Sequence, residues 1–248
     1  MKIATVTKSL SLALLLTLSV SASESGEAHW GYEGAGAPAH WGDLKPEFHS
    51  CKDGLNQAPI DLKGFVEAKL PKLTFDYKSA SKEILNNGHS IQVNIAGGST
   101  VEIDGIKFEL KQFHFHTPSE NNINGKSFPL EAHFVHASKD GELAVVALMF
   151  EEGDENKMLA QLWAKMPQKA GDKTKLEIAD VTTLLPKERD YYRFNGSLTT
   201  PPCTEGVRWI VIKKSSTVSK AQVEQFAKVM VHPNNRPVQA TNARIIAE

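Results

Sequence analysis

Short segments rich in valine, isoleucine and phenylalanine follow one another along the chain from residue 73 onward. Within them apolar and polar residues alternate, which is typical of half-buried β-strands. Asn-Gly, Gly-Gly and Asp-Gly pairs lie between the segments and predict tight turns. The predicted strands are residues 90–95, 100–103, 107–116, 130–135 and 143–150. The pattern therefore predicts a mainly β fold.

Two segments have helical spacing of their apolar residues. They are residues 156–166 and residues 219–230, and the second opens with Ser219, a favoured helix N-cap. Neither helix is expected to be central to the fold. No internal repeat, low-complexity tract or linker divides residues 23–248, so we expect them to form one domain.

Composition narrows the class of partner. The chain has 248 residues, of which 41% are hydrophobic and 23% are charged, and its formal net charge is -1. That composition suits one globular domain with a sizeable core. The lysines are scattered and form no basic stripe of the kind that holds a phosphate backbone. Nucleic acid is therefore not expected as a partner, and a small neutral or singly charged substrate suits the chain better.

The first residues have the pattern of a secretory signal peptide. Lys2 and Lys8 precede a short apolar run over residues 10–20, and small residues follow up to a predicted cleavage site after Ala22. The alternative is a membrane anchor, but polar residues interrupt the run, which is shorter than the roughly 20 residues that span a bilayer. We interpret residues 1–22 as a signal peptide, which predicts a periplasmic or secreted protein without a membrane anchor after processing.

The chain contains two cysteines, Cys51 and Cys203. In an exported protein, an even pair far apart in sequence is more typical of a disulfide than of metal ligands. Two buried free thiols are the alternative. A disulfide here would close a loop of about 150 residues, for which chain entropy predicts roughly 4 to 5 kcal/mol of stabilisation before strain is deducted.

Two histidines alternate with two phenylalanines in residues 112–116. The period of two in a strand puts His114 and His116 on one face together with Gln112, and the phenylalanines on the other face. A His-x-His pair alone is a weak signal of a metal site. For any single histidine the alternative is a core residue with a satisfied hydrogen bond.

A second strand repeats this pattern over residues 131–136. Glu131, His133 and Val135 share one face, whereas His136 lies on the opposite face and is expected to be an ordinary core residue. If the two strands are neighbours, His133 completes a three-histidine site. Three neutral imidazoles that leave a fourth coordination position open are typical of catalytic zinc.

Longer motifs extend the pattern over the chain. They are QFHFHTPSE at 112–120, PLEAHFVH at 129–136, NNGHS at 86–90, GSLTTPPCTEGVRW at 196–209, HWGY at 29–32, NQAPIDL at 56–62 and NNRPVQ at 234–239. In order and spacing this highly specific combination resembles the alpha-class carbonic anhydrase family, and most of all its bacterial exported branch. The resemblance covers essentially all of the chain after the signal peptide. Thr117 and Asn235 depart from many animal members, which have tryptophan there, and this leaves cavity shape and inhibitor preference open.

The resemblance implies a large, twisted, mostly antiparallel central sheet with short peripheral helices and one zinc ion at the foot of a conical cavity. It implies a zinc lyase that reversibly hydrates carbon dioxide to bicarbonate and a proton, by zinc-hydroxide attack and a histidine proton shuttle. Cleavage of activated esters is an expected side activity, and sulfonamides and anions are expected inhibitors. A homodimer is a family-level expectation. The branch also pairs cysteines placed like Cys51 and Cys203, which supports the disulfide.

Roles for individual residues also follow from the resemblance. The implied zinc ligands are His114, His116 and His133, and their hydrogen-bond partners are Gln112, Glu131 and the backbone carbonyl of Asn234. Thr199 is implied to orient the hydroxide, since its own hydroxyl proton is donated to Glu120. His89 is implied to relay protons to buffer, with an ordinary pKa of about 6.5 that suits this task. The waters along that path are expected to be ordered by Tyr32, Asn87 and Gln92.

The remaining assignments concern the substrate. The resemblance gives a dry wall for carbon dioxide to Val135, Val145, Leu198, Val207 and Trp209, with Thr200 positioning bicarbonate. A cis Pro201-Pro202 bond is expected to aim Thr199 and Thr200 into the cavity. Without the resemblance, these residues would be assigned to the core or to a turn.

Two other classes of function are weighed against catalysis. A catalytically silent binding module is known on this fold in relatives that have lost zinc ligands, but all three histidines are present in this chain. A structural zinc protein predicts a metal with no exchangeable fourth ligand, and binding of a sulfonamide at the metal would exclude it.

Overall fold

A computed structural model describes residues 29–78, 81–177 and 181–248. The predicted signal peptide, residues 1–22, lies outside the described residues. Within those ranges no helix is long and apolar enough to cross a membrane.

The regular elements are mainly short strands. In chain order the strands are β1 (Asp61–Leu62), β2 (Thr74–Asp76), β3 (Ser81–Asn86), β4 (Ile91–Ile95), β5 (Thr100–Ile103), β6 (Ile106–His116), β7 (Asn122–Ile123), β8 (Leu130–Ser138), β9 (Leu143–Glu152), β10 (Lys173–Lys175), β11 (Tyr191–Ser197), β12 (Glu205–Ile212) and β13 (Ser216–Val218). The α-helices are α1 (Trp41–Leu44), α2 (Ser50–Asp53), α3 (Lys157–Trp163) and α4 (Lys220–Met230), and 3-10 turns occupy Gly34–Gly36, Pro38–His40, Pro46–Phe48 and Val181–Leu184.

Eleven strands form one large sheet. Its main path is β10-β3-β4-β6-β8-β9-β12-β11, and β2, β5 and β13 join at its sides. The pairs along the path are antiparallel except that β12 runs parallel to β9, as does β13. A separate pair, β1 with β7, is parallel. The prediction of a mainly β fold with a large, mostly antiparallel sheet is confirmed, and the parallel pairs make the sheet mixed.

The predicted strands agree with the observed ones to within a few residues. The largest difference is at β8, which continues to Ser138 because it pairs with β9 as far as Ala137 and with β6 as far as Ser138. Both predicted helices are present. The Asn156 side chain accepts hydrogen bonds from two N–H groups of α3, and Ser219 forms a capping box with Gln222 at the start of α4.

The large sheet buries both of its faces. Successive residues of β9 divide between two apolar clusters, with Val146 in one and Val145 in the other, as the period of two requires. The short helices cover the first face, where the Phe115 ring lies 4.9 Å from Trp163 and 6.2 Å from Phe226. The second cluster lies on the face that carries the predicted ligands.

A disulfide joins the N-terminal part of the chain to the loop before β12. Cys51 in α2 is bonded to Cys203, with 5.0 Å between their Cα atoms and 152 positions between them in sequence. The predicted pairing is confirmed, and the alternative of two free thiols is wrong. The Pro201-Pro202 bond in the same loop is cis, as expected. The loop that contains Thr199 is therefore attached covalently to a distant part of the chain.

Candidate metal centre

The three predicted ligands lie on two neighbouring strands. His114 and His116 belong to β6, His133 belongs to β8, and His114 is directly opposite His133 in the register. Their side chains share one face because each strand alternates its residues. Ligand-capable atoms of the three residues all lie within 4.8 Å of one another. His116 and His133 are buried, while His114 is partly exposed and forms the accessible side of the cluster.

Each imidazole is held by one hydrogen bond to an oxygen acceptor. The pairs are His114 Nδ1 with Gln112 Oε1 at 2.8 Å, His116 Nδ1 with the Asn234 carbonyl at 2.7 Å, and His133 Nε2 with Glu131 Oε1 at 2.8 Å. An oxygen acceptor requires the bonded nitrogen to carry the proton, so the other ring nitrogen keeps a lone pair. His114 and His116 therefore offer Nε2, and His133 offers Nδ1.

These atoms suit a zinc ion. Burial and repulsion from the neighbouring imidazoles lower the pKa of His114 well below its ordinary value, and the pKa of His133 is lowered in the same way. The rings are therefore neutral near pH 7, as ligands must be. His116 Nε2 is buried and has no hydrogen-bond partner. A buried lone pair without a partner is costly, and a metal ion would satisfy it. Three nitrogens from one protein are typical of catalytic rather than structural zinc.

The Glu131 carboxylate, which orients His133, is itself held by hydrogen bonds. It accepts hydrogen bonds from the N–H groups of Glu120 at 2.7 Å and Asn121 at 2.9 Å, and from the Asn121 side chain at 2.8 Å. Burial raises the pKa of Glu131, and these donors oppose the rise because they favour the charged form. The carboxylate that orients His133 is thus itself fixed.

Glu120 lies beside the ligand cluster. Its Oε1 accepts the N–H of Arg236 at 2.8 Å, and its Oε2 lies 3.5 Å from His116 Nε2 and 3.8 Å from His133 Nδ1. Burial raises the pKa of Glu120 well above its ordinary value, and hydrogen bonds from Arg236 and the Thr199 side chain oppose this. Thr199, which is buried, is thus brought next to Glu120 although 79 positions separate them in the sequence.

The predicted apolar wall lies on the ligand face. Val145, Val207 and Trp209 are buried in one cluster, and the partly buried Val135 and Leu198 pack against it. The register aligns Val135 with Val145 across β8 and β9, and Trp209 with Val145 across β9 and β12. The Trp209 ring lies 5.0 Å from His133. For Thr200, the observed contact is its backbone carbonyl, which accepts the N–H of Cys203 at 2.9 Å.

His89 is held against an aromatic ring at the edge of the site. Its imidazole stacks on Trp30, with 3.6 Å between ring centroids and 11° between planes. Burial lowers the pKa of His89 to about 4, and the nearby His29 and His232 contribute to this. The ordinary pKa of about 6.5 expected from the sequence is therefore wrong for this environment.

The other residues of the predicted proton path are partly connected. The Asn87 amide donates to Gln92 Oε1 at 3.2 Å, and its carbonyl oxygen accepts the N–H of His89 at 2.9 Å. Gln92 is opposite His114 in the register of β4 and β6. The Tyr32 hydroxyl is buried and, within the described part of the chain, has no hydrogen-bond partner. It is thus a buried polar group without a protein contact.

Replacing Trp30 with alanine is expected to raise the pKa of His89 from about 4 towards its ordinary value, because the change removes the ring that desolvates the imidazole. NMR titration of the His89 ring protons measures this pKa. Since the folded-state pKa is below the unfolded one, the unfolded chain binds more protons between about pH 4 and 6.5, and stability falls as the pH drops through this window. If the NMR titration midpoint of His89 in Trp30→Ala were equal to that in the parent protein, this explanation of the low pKa would be contradicted.

Sequence motifs did not reveal several of these contacts. The Asn234 side chain accepts the N–H of Thr117 at 2.9 Å and donates to the carbonyls of Phe115 at 2.9 Å and His89 at 3.0 Å. It therefore joins the ligand strand to the His89 turn. Only its backbone carbonyl was predicted to matter, and no local pattern indicates such long-range bonds. His136 is buried on the opposite face, as predicted, where the Tyr77 hydroxyl lies 2.6 Å from its Nε2.

Fold and site together define a β-sheet metalloenzyme with a three-histidine centre. A family model described as eukaryotic-type carbonic anhydrase matches residues 36–248. A carbonic anhydrase of Pectobacterium atrosepticum is 49% identical over 226 residues, which cover 90% of this chain and 92% of that protein. The alpha-carbonic anhydrase from Thermovibrio ammonificans, solved with the inhibitor sulfanilamide, is 51% identical with a TM-score of 0.88, covering 90% of this chain and 100% of that one.

A hyperthermostable carbonic anhydrase identified from an active hydrothermal vent chimney is similar to the same degree, with 53% identity, a TM-score of 0.87 and coverage of 89% of this chain and 99% of that one. The chain belongs to the alpha-class carbonic anhydrase family. It is a zinc-dependent lyase that reversibly hydrates carbon dioxide, and the predictions of family, fold and activity are confirmed.

Proposed function

We propose that the chain hydrates carbon dioxide at the three-histidine cluster, with His114, His116 and His133 as the zinc ligands. The observation that carries this is the approach of three lone-pair nitrogens to within 4.8 Å of one another, each ring held by an oxygen acceptor. When bound, zinc lowers the pKa of its water to about 7, the general value for carbonic anhydrases, and so supplies a nucleophile near neutral pH. Gln112, Glu131 and Asn234 keep the rings in the tautomer that can bind metal.

Thr199 and Glu120 set the direction of a hydrogen bond beside the cluster. The Thr199 side chain lowers the pKa of Glu120, as a nearby hydrogen-bond donor does, and we assign its hydroxyl proton to that carboxylate. A hydroxyl that gives its only proton to a carboxylate has lone pairs alone to offer on its other side. Thr199 therefore accepts a hydrogen bond from the O–H of the attacking oxygen and leaves a lone pair of that oxygen free for carbon dioxide. Orientation of this kind is a large part of catalysis by positioned groups.

Carbon dioxide itself needs an apolar surface next to that oxygen. The side chains assigned to this surface are Val135, Val145, Leu198, Val207 and Trp209, and their packing beside His133 supports the assignment. They also exclude water, which would otherwise compete for the same space. We assign bicarbonate positioning to Thr200, one residue after Thr199.

His89 is the proposed proton carrier between the site and buffer. His89 lies in the turn before β4, and Asn87 connects the two by accepting the His89 N–H and donating to Gln92, which is opposite His114 in the register; this supports the proposal. The low pKa that Trp30 and burial impose makes the protonated state of His89 rare at neutral pH. Transfer through it is therefore less favourable than through an unperturbed histidine, and added buffer is expected to assist. Tyr32, Asn87 and Gln92 are assigned to order the intervening waters.

Inhibitors, side activity and location follow from the same assignment. The sulfanilamide complex of the Thermovibrio ammonificans enzyme supports binding of sulfonamides here, and anions are expected to compete for the same position. Cleavage of activated esters is a proposed side activity of the same nucleophile. The disulfide supports export to an oxidising compartment such as the periplasm, which cell fractionation would check. A homodimer remains a family-level prediction for sedimentation analysis.

Stopped-flow hydration of carbon dioxide by the purified zinc-loaded protein tests the proposed site. We expect fast hydration at one zinc per chain and inhibition of hydration and ester cleavage by sulfanilamide to the same extent. A zinc-loaded protein without hydratase activity would contradict the proposal and favour a silent binding module. Activity that sulfanilamide leaves unchanged would place the reaction away from this cluster.

A further inference from the structure

Arg236 is a buried cation with an unusual set of partners. Only 1% of its surface is exposed, and its guanidinium donates to three neutral oxygens. These are Gln57 Oε1 at 2.8 Å, the Ala58 carbonyl at 2.8 Å and the Cys51 carbonyl at 2.9 Å. The guanidinium also lies over the Trp41 ring, at 5.7 Å from its centroid. Among the described residues no carboxylate is within ion-pair distance of it. A buried charge is costly, so this residue calls for an explanation beyond packing.

The backbone of Arg236 faces the catalytic groups. Its N–H donates to Glu120 Oε1 at 2.8 Å. Two residues earlier, the Asn234 carbonyl accepts from His116 at 2.7 Å. One stretch of three residues thus supplies a bond to a ligand ring and a bond to Glu120. A shift in the backbone of residues 234–236 would therefore displace both hydrogen bonds.

Residues 233–238 belong to no helix or strand. Apart from one backbone bond, from the Asn234 N–H to the Thr117 carbonyl at 3.3 Å, their position is set by bonds that involve side chains. The Asn234 side chain fixes one end of the stretch to β6, and the Arg236 guanidinium fixes the other to residues 51–58. That second anchor is itself rigid, because Cys51 is disulfide-bonded to Cys203 and the Gln57 amide donates to the Cys203 carbonyl at 3.0 Å.

Charge supports the same arrangement. Burial lowers the pKa of Arg236 to about 10, and the Glu120 carboxylate opposes this decrease. Arg236 therefore stays protonated at neutral pH, and its charge favours a carboxylate at Glu120. The planar guanidinium binds several acceptors in fixed directions, which a lysine ammonium does not.

We propose that the Arg236 side chain is a positioning residue that holds its own backbone N–H against Glu120 and thereby fixes the direction of the Thr199 hydroxyl. This inference rests on the roles proposed above for Glu120 and Thr199. Arg236 touches no reacting atom, and its effect passes through Glu120.

The test compares two inhibitors on the zinc-loaded protein. The nitrogen of bound sulfanilamide carries a proton and needs Thr199 as an acceptor, whereas thiocyanate has no proton to donate. In Arg236→Lys we expect the dissociation constant of sulfanilamide to rise by about 10-fold, with a similar fall in kcat, the lower end of effects for groups behind an active site. The thiocyanate constant and the zinc content are expected to stay near their parental values. Parental sulfanilamide binding in a folded, zinc-loaded Arg236→Lys would overturn the proposal.

Two further variants separate positioning from general damage. Arg244→Lys is the matched control, because the Arg244 guanidinium also donates to three carbonyls, of Asn195, Ala240 and Thr241, in another part of the chain. It is expected to leave both inhibitor constants unchanged, and a tenfold rise in its sulfanilamide constant would overturn the specific role of Arg236. If Arg236→Lys does not fold, Gln57→Leu removes one acceptor of Arg236, together with the Gln57 amide bonds to Cys203 and Glu205. The inhibitor ratio is the dissociation constant of sulfanilamide divided by that of thiocyanate. In Gln57→Leu we expect this ratio to rise, but by less than in Arg236→Lys. An unchanged ratio overturns the proposal.

Glu120→Gln distinguishes the failure of this inference from failure of the proposed function. We expect Glu120→Gln to change the inhibitor ratio and Arg236→Lys to change it no further in that background. A ratio unchanged by Glu120→Gln would refute the underlying roles of Glu120 and Thr199. A ratio changed by Glu120→Gln but not by Arg236→Lys would refute only the positioning role of Arg236.

Discussion

Replacing His114 with alanine is expected to abolish hydration of carbon dioxide and zinc binding together. His114 is the best of the three positions for this test, because it is partly exposed, whereas His116 and His133 are each 1% exposed. Truncation of either buried ring would open a cavity and confuse loss of metal with loss of stability. At His114 the change removes one of three nitrogens while the packed core remains.

The expected loss of zinc affinity and activity in His114→Ala exceeds about 100-fold, which is the upper end of effects for groups that only support a ligand. Zinc content after dialysis and stopped-flow hydration measure the two losses. His49→Ala is the control, because His49 is exposed and outside the site. Full zinc content and activity in His114→Ala would show that the metal is held elsewhere. Loss of activity in His49→Ala would show that histidine loss alone is not diagnostic.

Thr199→Val is expected to lower kcat/KM by about 100-fold while zinc content stays the same, the size of effect seen when one positioned hydrogen-bonding group is removed from an active site. Valine keeps the shape of threonine but neither donates to Glu120 nor accepts a hydrogen bond from the attacking oxygen. The loss is therefore expected in the chemical step and not in the metal site. Stopped-flow hydration over a range of carbon dioxide concentrations measures it.

Thr204→Val provides the matched control in the same loop. The Thr204 side chain is exposed, and the carbonyl that accepts the Leu198 N–H at 2.9 Å is unaffected by the substitution. Its kcat/KM is expected to remain at the parental value. If Thr199→Val had parental kcat/KM, Thr199 would be a turn residue without a role in orienting the nucleophile. If both variants lost activity equally, the loop as a whole would be responsible.

The ligand strands were predictable because their information is local. A period of two puts His114 and His116 on one face of β6 whatever surrounds the strand, and the same holds for Glu131 and His133 on β8. The same period puts Gln112 on the face of His114, whereas its role as hydrogen-bond partner came from the family resemblance. The sequence did not establish that β6 and β8 are paired, and the register that sets His114 opposite His133 appears only in the structure.

The pKa of His89 could not be predicted from the sequence, for a different reason. Its place in the Asn-Gly-His turn was identified from the motif, but its pKa depends on rings brought from far away in the sequence. Trp30 is 59 positions earlier, and His232 is 143 positions later. Desolvation and charge are properties of what surrounds a group in space, so the ordinary pKa of about 6.5 was the only value the sequence supported.

By itself the sequence determined the family, the strand pattern and the face of its strand on which each candidate ligand lies, because motifs and period-two alternation are carried by residues close in the chain. Only the tertiary structure decided which buried groups hold the site in place. The Arg236 guanidinium, the Asn234 amide and the Glu120 carboxylate act through bonds that span more than 100 positions. Those bonds start from residues 234–236, which have no regular structure and therefore no periodic pattern that records a partner. They exist only once the sheet and the disulfide have brought the segments together.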